Sequence, residues 1–497
     1  MKRKDFIRTI GAGAVALPFV SGLSSRGSSK GRQGKPNVLF ISIDDLNDWV
    51  GCMDAKTGIR TPNIDRLAGQ GTLFTRAYCS APSCTPSRTS LMTGLRPSSC
   101  GVYDNVGYYW RENSYLEDAK TLPRHFRENG YHTMGGGKLF HGLSWISDSY
   151  GRNQNDPDAW DDYYPSVDQP MPDHVFPEGT RKEGSAFVWD RVTQGPEGDA
   201  GPFYPFDWGP LDVPESEMSD YKVASWAASE LEKEHDKPFF LGAGIFLPHM
   251  PWFVPQKYFD MYPIDEIHVP LAPEDDLDNL PPAGRQMGSG RRGWHNWVVR
   301  NGHWKSAVQA YKASITFIDE QIGRMLDALE SGPNADNTII ILWSDHGFHL
   351  GEKQTWEKFT LWEEAGRVPF IIKAPGVTSP GSRCGVPVSL LDIYPTLNHL
   401  CGLPDKENLE GEDLVSLLRE PGTDRDRGVV TTFGYRNHSI RTRRWRYIQY
   451  ANGEEELYDH DHDSGEFQNL AGAEEYQSIK DDLAVWLPEV NVEPFRV

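Results

Sequence analysis

Several side chains that could do acid–base or metal chemistry stand directly after apolar runs that predict buried strands. In an open parallel α/β sheet, the carboxyl ends of the strands meet at one crevice, where folds of this class place their sites. Residues far apart in the sequence would therefore come together there. They are Asp44, Asp45, Lys138, His141, His249, Asp345 and His346.

Each of these signals has an ordinary explanation when it is taken alone. The adjacent carboxylates of Asp44 and Asp45 repel each other unless a cation or protons intervene, but aspartates also cap solvated turns. A lysine and a histidine three residues apart fit a plain surface position. The pair Asp345 and His346 fits an acid–base dyad, half of a metal site or a capped turn.

Cys84 gives a second kind of signal. It stands ahead of Pro86, and the run that follows can form a helix, so its side chain would lie at a helix N-terminus. Backbone N–H groups at that place favour negative charge, which suits an anion. A buried structural cysteine before an ordinary helix is the alternative.

The elements that must position these residues predict an α/β fold. The apolar runs Val38–Ile43 and Thr338–Trp343 are typical of strands buried on both faces of a parallel sheet, and the amphipathic stretch Ala307–Leu329 predicts a covering helix. Residues 142–214 have poor periodicity, which predicts a long irregular insertion. After residue 425, runs such as Trp445–Tyr450 predict a smaller α+β subdomain with a small antiparallel sheet.

The charge balance restricts the partners of the chain. Its 497 residues include 50 Lys and Arg against 71 Asp and Glu, for a formal net charge of -21. This balance argues against nucleic acid as a partner, because such binding grows with the number of phosphates that Lys and Arg neutralise. An anionic substrate would have to be attracted by a local basic pocket.

The N-terminus predicts export to the periplasm or secretion. Basic residues at positions 2–4, the apolar run Phe6–Val20 and the small residues after it are typical of a bacterial signal peptide over residues 1–25. A polar linker over 26–35 follows, and a membrane anchor is the alternative. No later segment is long and apolar enough for a stable membrane span.

The run from Cys84 to Gly94 resembles the C-x-P-S-R-x-x-x-x-T-G signature of type I sulfatases in the alkaline phosphatase superfamily. Similar motifs extend over about Asn37–Leu470. The resemblance implies that a maturation enzyme oxidises Cys84 to formylglycine. It also implies a large, mostly parallel sheet sandwiched by helices in a catalytic domain over 36–424, with a C-terminal subdomain over 425–497.

The resemblance also implies a metal site. By similarity, a calcium ion would be bound by Asp44, Asp45, the modified Cys84, Asp345 and His346. Oxygen-rich ligation suits a hard cation, while the histidine in the set leaves magnesium open.

The family mechanism assigns roles to further residues. A hydroxyl of the hydrated formylglycine attacks sulfur and expels the sugar alcohol, and loss of a proton from the other hydroxyl releases sulfate. Arg88 would hold the formylglycine oxygens, and Lys138 and Lys358 would hold sulfate oxygens. His249 is the candidate general acid for the leaving alcohol, and His141 is the candidate base for sulfate release.

The segments Val102–Trp110 and Asp345–Lys358 are similar to the iduronate-2-sulfatase-like branch of the family. That branch implies a 2-O-sulfated uronic acid of a polysaccharide or its oligosaccharides. The basic and aromatic segment Arg285–Trp304 fits either contact with a sulfated sugar or a surface loop, and His460–Asp463 fits an exposed turn better than a metal site. The alternatives to a sulfatase are a phosphomonoesterase or phosphodiesterase of the same superfamily and a non-catalytic sulfated-glycan binder.

Overall fold

The computed structural model describes residues 34–53, 58–105, 112–141, 155–177, 181–183, 186–188, 206–425 and 427–495, without the side chains of 181–183, 186–188 and 289–292. The predicted signal peptide, all but the end of the predicted linker and about half of the predicted insertion lie outside these residues. Lys35–Val497 forms one compact unit. No helix in the described part of the chain is long and apolar enough to cross a membrane.

In chain order, the described strands are β1 (Asn37–Ile43), β2 (Thr72–Phe74), β3 (Ala77–Tyr78), β4 (His132–Gly137), β5 (Asp162–Tyr164), β6 (Arg181–Glu183), β7 (Ala186–Val188), β8 (Trp208–Leu211), β9 (Phe239–Ile245), β10 (Trp252–Pro255), β11 (Thr338–Ser344), β12 (His349–Leu350), β13 (Trp356–Glu357), β14 (Arg367–Val368), β15 (Phe370–Lys373), β16 (Ser382–Cys384), β17 (Val388–Ser389), β18 (Val429–Thr432), β19 (His438–Arg441), β20 (Trp445–Gln449) and β21 (Glu455–Asp459). The helices are α1 (Pro62–Gln70), α2 (Cys84–Thr93), α3 (Pro97–Cys100), α4 (Leu122–Glu128), α5 (Ser219–Leu231), α6 (Gln256–Asp260), α7 (Pro282–Met287), α8 (Ser289–Arg300), α9 (Trp304–Ser331), α10 (Glu363–Gly366), α11 (Ile393–Leu400), α12 (Val415–Arg419) and α13 (Gln477–Ala484).

An eight-stranded sheet with the order β16-β2-β15-β11-β1-β9-β4-β5 forms the centre of the molecule. β1 pairs in parallel with both β11 and β9, and β4 pairs in parallel with β9 and β5. Only β15 runs against its two neighbours within this sheet. The expectation of a large, mostly parallel sheet is therefore confirmed.

Side chains of β1 alternate between two apolar layers, as the period of a strand requires. Leu39 and Ile41 join a core that includes residues of α5 and α9. Val38 and Phe40 join a second core with residues of α2, α4 and α11. Each such side chain contributes about 1.5–3 kcal/mol by leaving water. The sheet is thus covered by helices on both faces, which explains why β1 is apolar from Val38 to Ile41.

The glycines at the end of β4 allow that strand to lie against β9. Gly137 has a φ of +76°, and a Cβ atom there would come within 1.9 Å of the Gly244 carbonyl oxygen. The Lys138 N–H donates to the same oxygen at 3.0 Å. A larger residue at position 137 would therefore displace Lys138 from the carboxyl edge of the sheet.

After residue 425, strands β18 to β21 form a four-stranded antiparallel sheet. The predicted strand at Trp445–Tyr450 matches β20 to within one residue. Arg441 and Arg446 of this sheet form ion pairs with Glu363, which lies before the predicted boundary. The division into domains at residue 424 stays a prediction.

Candidate active site

The candidate site begins where the central strands end. Ile43 of β1 is in register with Ser344 of β11 and with Ile245 of β9, so the three strands stop level with one another. The next residues continue the pairing, since the Asp44 N–H donates to Ile245 O at 3.1 Å and the Asp345 N–H donates to Ile43 O at 3.2 Å. The sheet therefore delivers both carboxylates to the same edge.

Cys84 is the first residue of α2 and is fully buried. The preceding residue, Ser83, is extended, and its hydroxyl and the Thr85 N–H both donate to Asn105 Oδ1 at 2.8 Å. The helix N-terminus is therefore capped from outside the helix by Asn105. The Cys84 Sγ lies 3.3 Å from His346 Nε2.

Two lysines reach the same cluster, and each pairs with one carboxylate. Lys138, after β4, contacts the Asp44 carboxylate. Lys358 Nζ donates to both oxygens of Asp45, at 2.6 and 2.8 Å, and lies 3.6 Å from Cys84 Sγ. All these side chains are buried, so their interactions are weakly screened by solvent.

Arg88 lies one turn after Cys84, and its guanidinium contacts the carboxylates of the cluster. Its Nε donates to Asp345 Oδ2 at 2.9 Å, and a terminal nitrogen lies 3.1 Å from Asp44 Oδ1. Its other terminal nitrogen donates to the Ser42 hydroxyl at 2.9 Å and to the Lys138 carbonyl at 2.7 Å. This buried guanidinium joins three strand ends and α2 in one network.

Asp44, Asp45, Cys84 and His346 offer ligand atoms that all lie within 4.8 Å of one another. The predicted fifth ligand, Asp345, lies beside this group, with Oδ2 at 3.6 Å from His346 Nε2. Its Oδ1 accepts the N–H groups of Asp45 at 3.1 Å and His346 at 3.0 Å. Asp345 therefore also fixes the backbone of two of its neighbours.

The two aspartates after β1 differ in their electrostatic balance. Burial would raise the pKa of Asp44, but the charges of Lys138 and Arg88 hold it well below its ordinary value. Burial raises the pKa of Asp45 to about 8, although Lys358 and His346 oppose the shift. Asp45 thus has less cationic support than its ionised form needs, and a further cation at this place would supply it.

Charges in the cluster also act on Cys84 and His346. Burial would raise the pKa of the Cys84 thiol, but Lys358 and Lys138 outweigh it and lower the pKa. Burial would lower the pKa of His346, but Asp345 and Cys84 raise it to about 9. His346 Nδ1 lies 3.0 Å from Gly347 O, which directs Nε2 into the cluster.

His249 and His141 are kept neutral by their surroundings. Burial lowers the pKa of both histidines, to about 3 for His141, and Lys138 reinforces the shift. His249 Nδ1 lies 2.6 Å from Met250 O, so its Nε2 is the nitrogen left for proton transfer. The negative charge of a bound sulfate would favour the protonated form of a nearby imidazole.

Three supporting residues escaped the sequence analysis. Asp220 of α5 accepts the N–H groups of Phe246 and Leu247 at 2.8 and 3.0 Å, just before His249. Tyr311 of α9 donates to Asp45 O at 2.8 Å, where Asp45 has a φ of +61°. Ser42, the third, contacts Arg88 as described above. Nothing in their sequence surroundings distinguishes them, because each acts on a residue distant in the chain.

The expectation of a loop at Arg285–Trp304 is wrong because most of the segment is helical, while contact between this segment and a sulfated sugar stays a prediction. The segment forms α7 and α8, and Trp294 and Trp297 are buried in the core. The Trp294 ring packs on Phe206 with 4.5 Å between ring centroids. These indoles serve packing, so they are not free to stack on a sugar.

Taken together, a mostly parallel sheet and a nucleophile position at a helix start, surrounded by carboxylates, lysines and histidines, define an ester hydrolase site of the alkaline phosphatase-like type. The sulfatase family profile matches residues 36–403, and a profile described as N-sulphoglucosamine sulphohydrolase, C-terminal, matches residues 351–493. The chain belongs to the sulfatase family. It is an enzyme, a sulfuric ester hydrolase.

Two relatives and one solved structure illustrate the likeness. A sulfatase of Formosa agariphila is 38% identical over 92% of this chain and 87% of its own length. The iduronate 2-sulfatase of Homo sapiens is 33% identical over 77% of this chain and 67% of its own length. The phosphonate monoester hydrolase of Agrobacterium radiobacter has a TM-score of 0.68 with 23% identity, covering 91% of this chain and 94% of that one, which shows the shared fold.

Proposed function

We propose that this sulfatase removes sulfate from a sulfated sugar, namely a 2-O-sulfated uronic acid of a polysaccharide or its oligosaccharides. The observation that carries the reaction is the buried Cys84 at the start of α2, 3.3 Å from His346 and 3.6 Å from Lys358. The sugar is inferred from the similarity to a relative named iduronate 2-sulfatase. We further propose that the protein is exported by its N-terminal segment.

The chemistry requires Cys84 to be converted to formylglycine. An unmodified thiolate attacking a sulfate ester would form a stable thiosulfate-type adduct, so turnover would stop. Formylglycine supplies an oxygen nucleophile at the same position instead. A maturation enzyme of the host would have to carry out this oxidation.

The buried donor set fits a divalent cation. Asp44, Asp45, His346 and the oxygen of the modified Cys84 would hold it, with Asp345 at their side, and we favour calcium because the donors would be mostly oxygen. When bound, the cation supplies positive charge that favours an ionised oxygen at position 84. The pKa of Asp45, raised by burial, is the feature of this chain that such a cation would correct.

The lysines and histidines would act on the substrate itself. Lys138 and Lys358 bring two ammonium groups to the Cys84 side chain, where they can hold sulfate oxygens as charge develops in the transition state. His249 would protonate the leaving sugar oxygen through Nε2, and His141 would take the proton whose loss releases sulfate. Arg88 keeps the carboxylates and α2 in their relative positions.

A panel of defined oligosaccharides tests the substrate. The enzyme is expressed with a maturation enzyme, and sulfate release is measured on matched sugars sulfated only at the uronic acid O2 or only at the hexosamine O6. We expect release from the 2-O-sulfated sugar with at least 10²-fold higher kcat/KM. Activity on the 6-O-sulfated sugar alone would overturn the substrate proposal and leave the reaction intact.

Mass spectrometry of the peptide that contains Cys84 tests the nucleophile separately. The expected mass is that of formylglycine, and activity should follow the modified fraction from one preparation to another. Fully active protein with an intact thiol at position 84 would contradict the proposed chemistry.

A further inference from the structure

A second concave site lies beside the segments that carry the catalytic residues. It is a cavity of about 490 Å³, and its walls come from the turn after β2, the start of α10, β14, β16, the turn between β19 and β20 and the turn after β21. Basic side chains dominate the walls. The arginines are Arg76, Arg367, Arg383, Arg441 and Arg443.

The lining of this cavity is mainly positively charged, whereas the chain as a whole is negatively charged. The chain has a formal net charge of -21, whereas the described residues that line the cavity include five arginines and one carboxylate, Glu363. Burial lowers the pKa of Arg76, and the charges of Arg441 and Arg367 add to this effect. Positive charge is therefore concentrated here beyond what the nearby carboxylates offset.

Arg76 is one of the arginines that contribute to this excess of positive charge. It donates to the Gly385 carbonyl at 3.2 Å, and within the described residues it forms no ion pair with a carboxylate. Arg443 lies on the rim with a side chain 44% exposed, and its partner Asp424 is 90% exposed. A guanidinium has five N–H donors in a planar fork, so both arginines keep donors that can turn to an oxyanion.

Three stretches of chain connect residues that line the cavity with residues of the active site. Met53 follows the Asp44 and Asp45 pair, Arg76 precedes Cys84, and Arg367 follows Lys358. Arg367 also donates to Asp48 at 3.0 Å, three residues after Asp45. The cavity thus lies at the same carboxyl edge of the sheet, under the neighbouring strands β2 and β15.

We propose that this arginine cavity binds a sulfate-type oxyanion, namely a sulfate group on a sugar neighbouring the one that is hydrolysed. Free inorganic sulfate has the same chemistry and is the other source. The volume fits one sulfated sugar unit, and paired guanidinium forks suit a tetrahedral anion. The glycan form of the proposal rests on the proposed function, because a sulfated polysaccharide presents further sulfate groups beside the one that is hydrolysed.

Binding to the full chain carrying Cys84→Ala tests the proposal, since this background cannot consume the ligand. Three probes are titrated calorimetrically: a tetrasaccharide sulfated on both its uronic acid and hexosamine residues, the same tetrasaccharide after desulfation, and sodium sulfate at constant ionic strength. Arg76→Ala and Arg443→Ala are each added to the background. Arg419→Ala, at an exposed arginine of α12, is the matched control.

We expect Arg76→Ala and Arg443→Ala to weaken binding of the sulfated tetrasaccharide by at least fivefold, with Arg76→Lys recovering part of the loss. Arg419→Ala and the desulfated probe should show no such dependence. Loss of sodium sulfate binding in the same two variants, with tetrasaccharide binding unchanged, assigns the cavity to free sulfate. Because Arg443 is exposed, its variant tests the idea even where Arg76→Ala fails to fold.

Unchanged binding of both anions in the Arg76→Ala and Arg443→Ala variants would overturn the proposal. Failure of the proposed function has a different signature, because it appears as absent sulfate release by the matured parent enzyme. The sodium sulfate titration does not depend on which sugar the enzyme prefers, so the two outcomes can be told apart.

Discussion

Two clusters in the described residues bring a histidine and at least two carboxylates within 4.8 Å, and they differ in how far the protein itself compensates the carboxylate charge. The first is the active-site cluster of Asp44, Asp45, Cys84 and His346. The second, which we name the arginine-bridged cluster, consists of Glu363, His460 and Glu466. In the second, one guanidinium already lies between the carboxylates, since Arg446 contacts Glu363 through a terminal nitrogen and lies 2.5 Å from Glu466 Oε1 through Nε.

The pKa values express the same difference. Burial would raise the pKa of Glu466, but Arg446 and His460 lower it to about 2, so its charge is compensated within the protein. Burial raises the pKa of Asp45 to about 8 despite Lys358. Arg446 lies between the two carboxylates of the arginine-bridged cluster, whereas Lys358 contacts Asp45 from one side and leaves its charge only partly compensated. Similar residue types therefore form a structural ion cluster in one region and a reactive site in the other.

The largest effect is expected at the nucleophile. Cys84→Ala should lower kcat for sulfate release by about 10⁴-fold or more, because it removes the side chain that is to be converted to formylglycine. Cys79→Ala, at a buried cysteine of the same segment, is the control and should keep activity within a few-fold. Sulfate release by Cys84→Ala above that level would place the nucleophile elsewhere.

The comparison predicts that removing one cationic side chain mainly lowers stability and that removing another mainly lowers activity. Arg446→Met should destabilise folding by about 3–5 kcal/mol, because it leaves Glu363 and Glu466 buried without their partner, yet folded enzyme should keep its kcat. Lys358→Met should instead lower kcat, and it should shift the urea midpoint less than Arg446→Met does, because Asp45, whose pKa is already raised to about 8, can take up a proton when its partner is lost. Equal effects of the two substitutions on activity would contradict the distinction between a structural ion cluster and a reactive site.

If His249 is the general acid, the loss of kcat on its substitution should depend on the leaving group. His249→Gln should lower kcat about 10²- to 10³-fold for a sugar sulfate, whose alcohol needs a proton to leave. For an aryl sulfate with an acidic phenol the loss should be under about tenfold, because that leaving group departs without protonation. The same loss on both substrates would exclude the general-acid role of His249.

Metal removal should affect one cluster only. Calcium at about 100 times its Kd should stabilise the matured enzyme by about 2.7 kcal/mol, measured as a rise in Tm that a chelator reverses. Asp45→Asn should abolish this rise, and Glu466→Gln should leave it intact. A rise that depends on Glu466 would show that the ion occupies the arginine-bridged cluster.

The last expected effect is a pH dependence of stability in the absence of metal, with opposite signs for the two clusters. The lowered pKa of Glu466 gives a stability contribution that is present above pH 4.5 and is lost as the pH falls toward 2. The raised pKa of Asp45 has the opposite sign, so its contribution declines as the pH rises from 3.8 to 8. Unfolding free energies of Glu466→Gln and Asp45→Asn should each lack one of these slopes.

Strand ends were the part of the site that sequence reasoning could predict. The apolar runs before Asp44 and Asp345 are long enough to fix both the strands and the edge at which they stop, and the structure brings these residues together. Lys358 has no such signal. It lies between Glu357 and Phe359, both with positive φ, and a loop of that kind has no periodicity from which a position could be inferred.

The errors came from patterns that fit two structures. The mixture of arginines, glycines and indoles in Arg285–Trp304 is typical of a loop, but Trp294 and Trp297 pack into the core from a helix. The supporting contacts of Asp220 and Tyr311 depend on the packing of α5 and α9 against the sheet. Such contacts between distant elements carry no local signature, so only the folded structure reveals them.

The order of the strands has a consequence for synthesis of the chain. β1 lies in the middle of the sheet, yet its partner residues on β9 and β11 come about 200 and 300 residues later. The central strand is therefore among the first to be made and among the last to be paired. A chain interrupted before β11 exposes an apolar strand edge to which other chains can add, so interrupted synthesis should yield aggregates rather than a partly active enzyme.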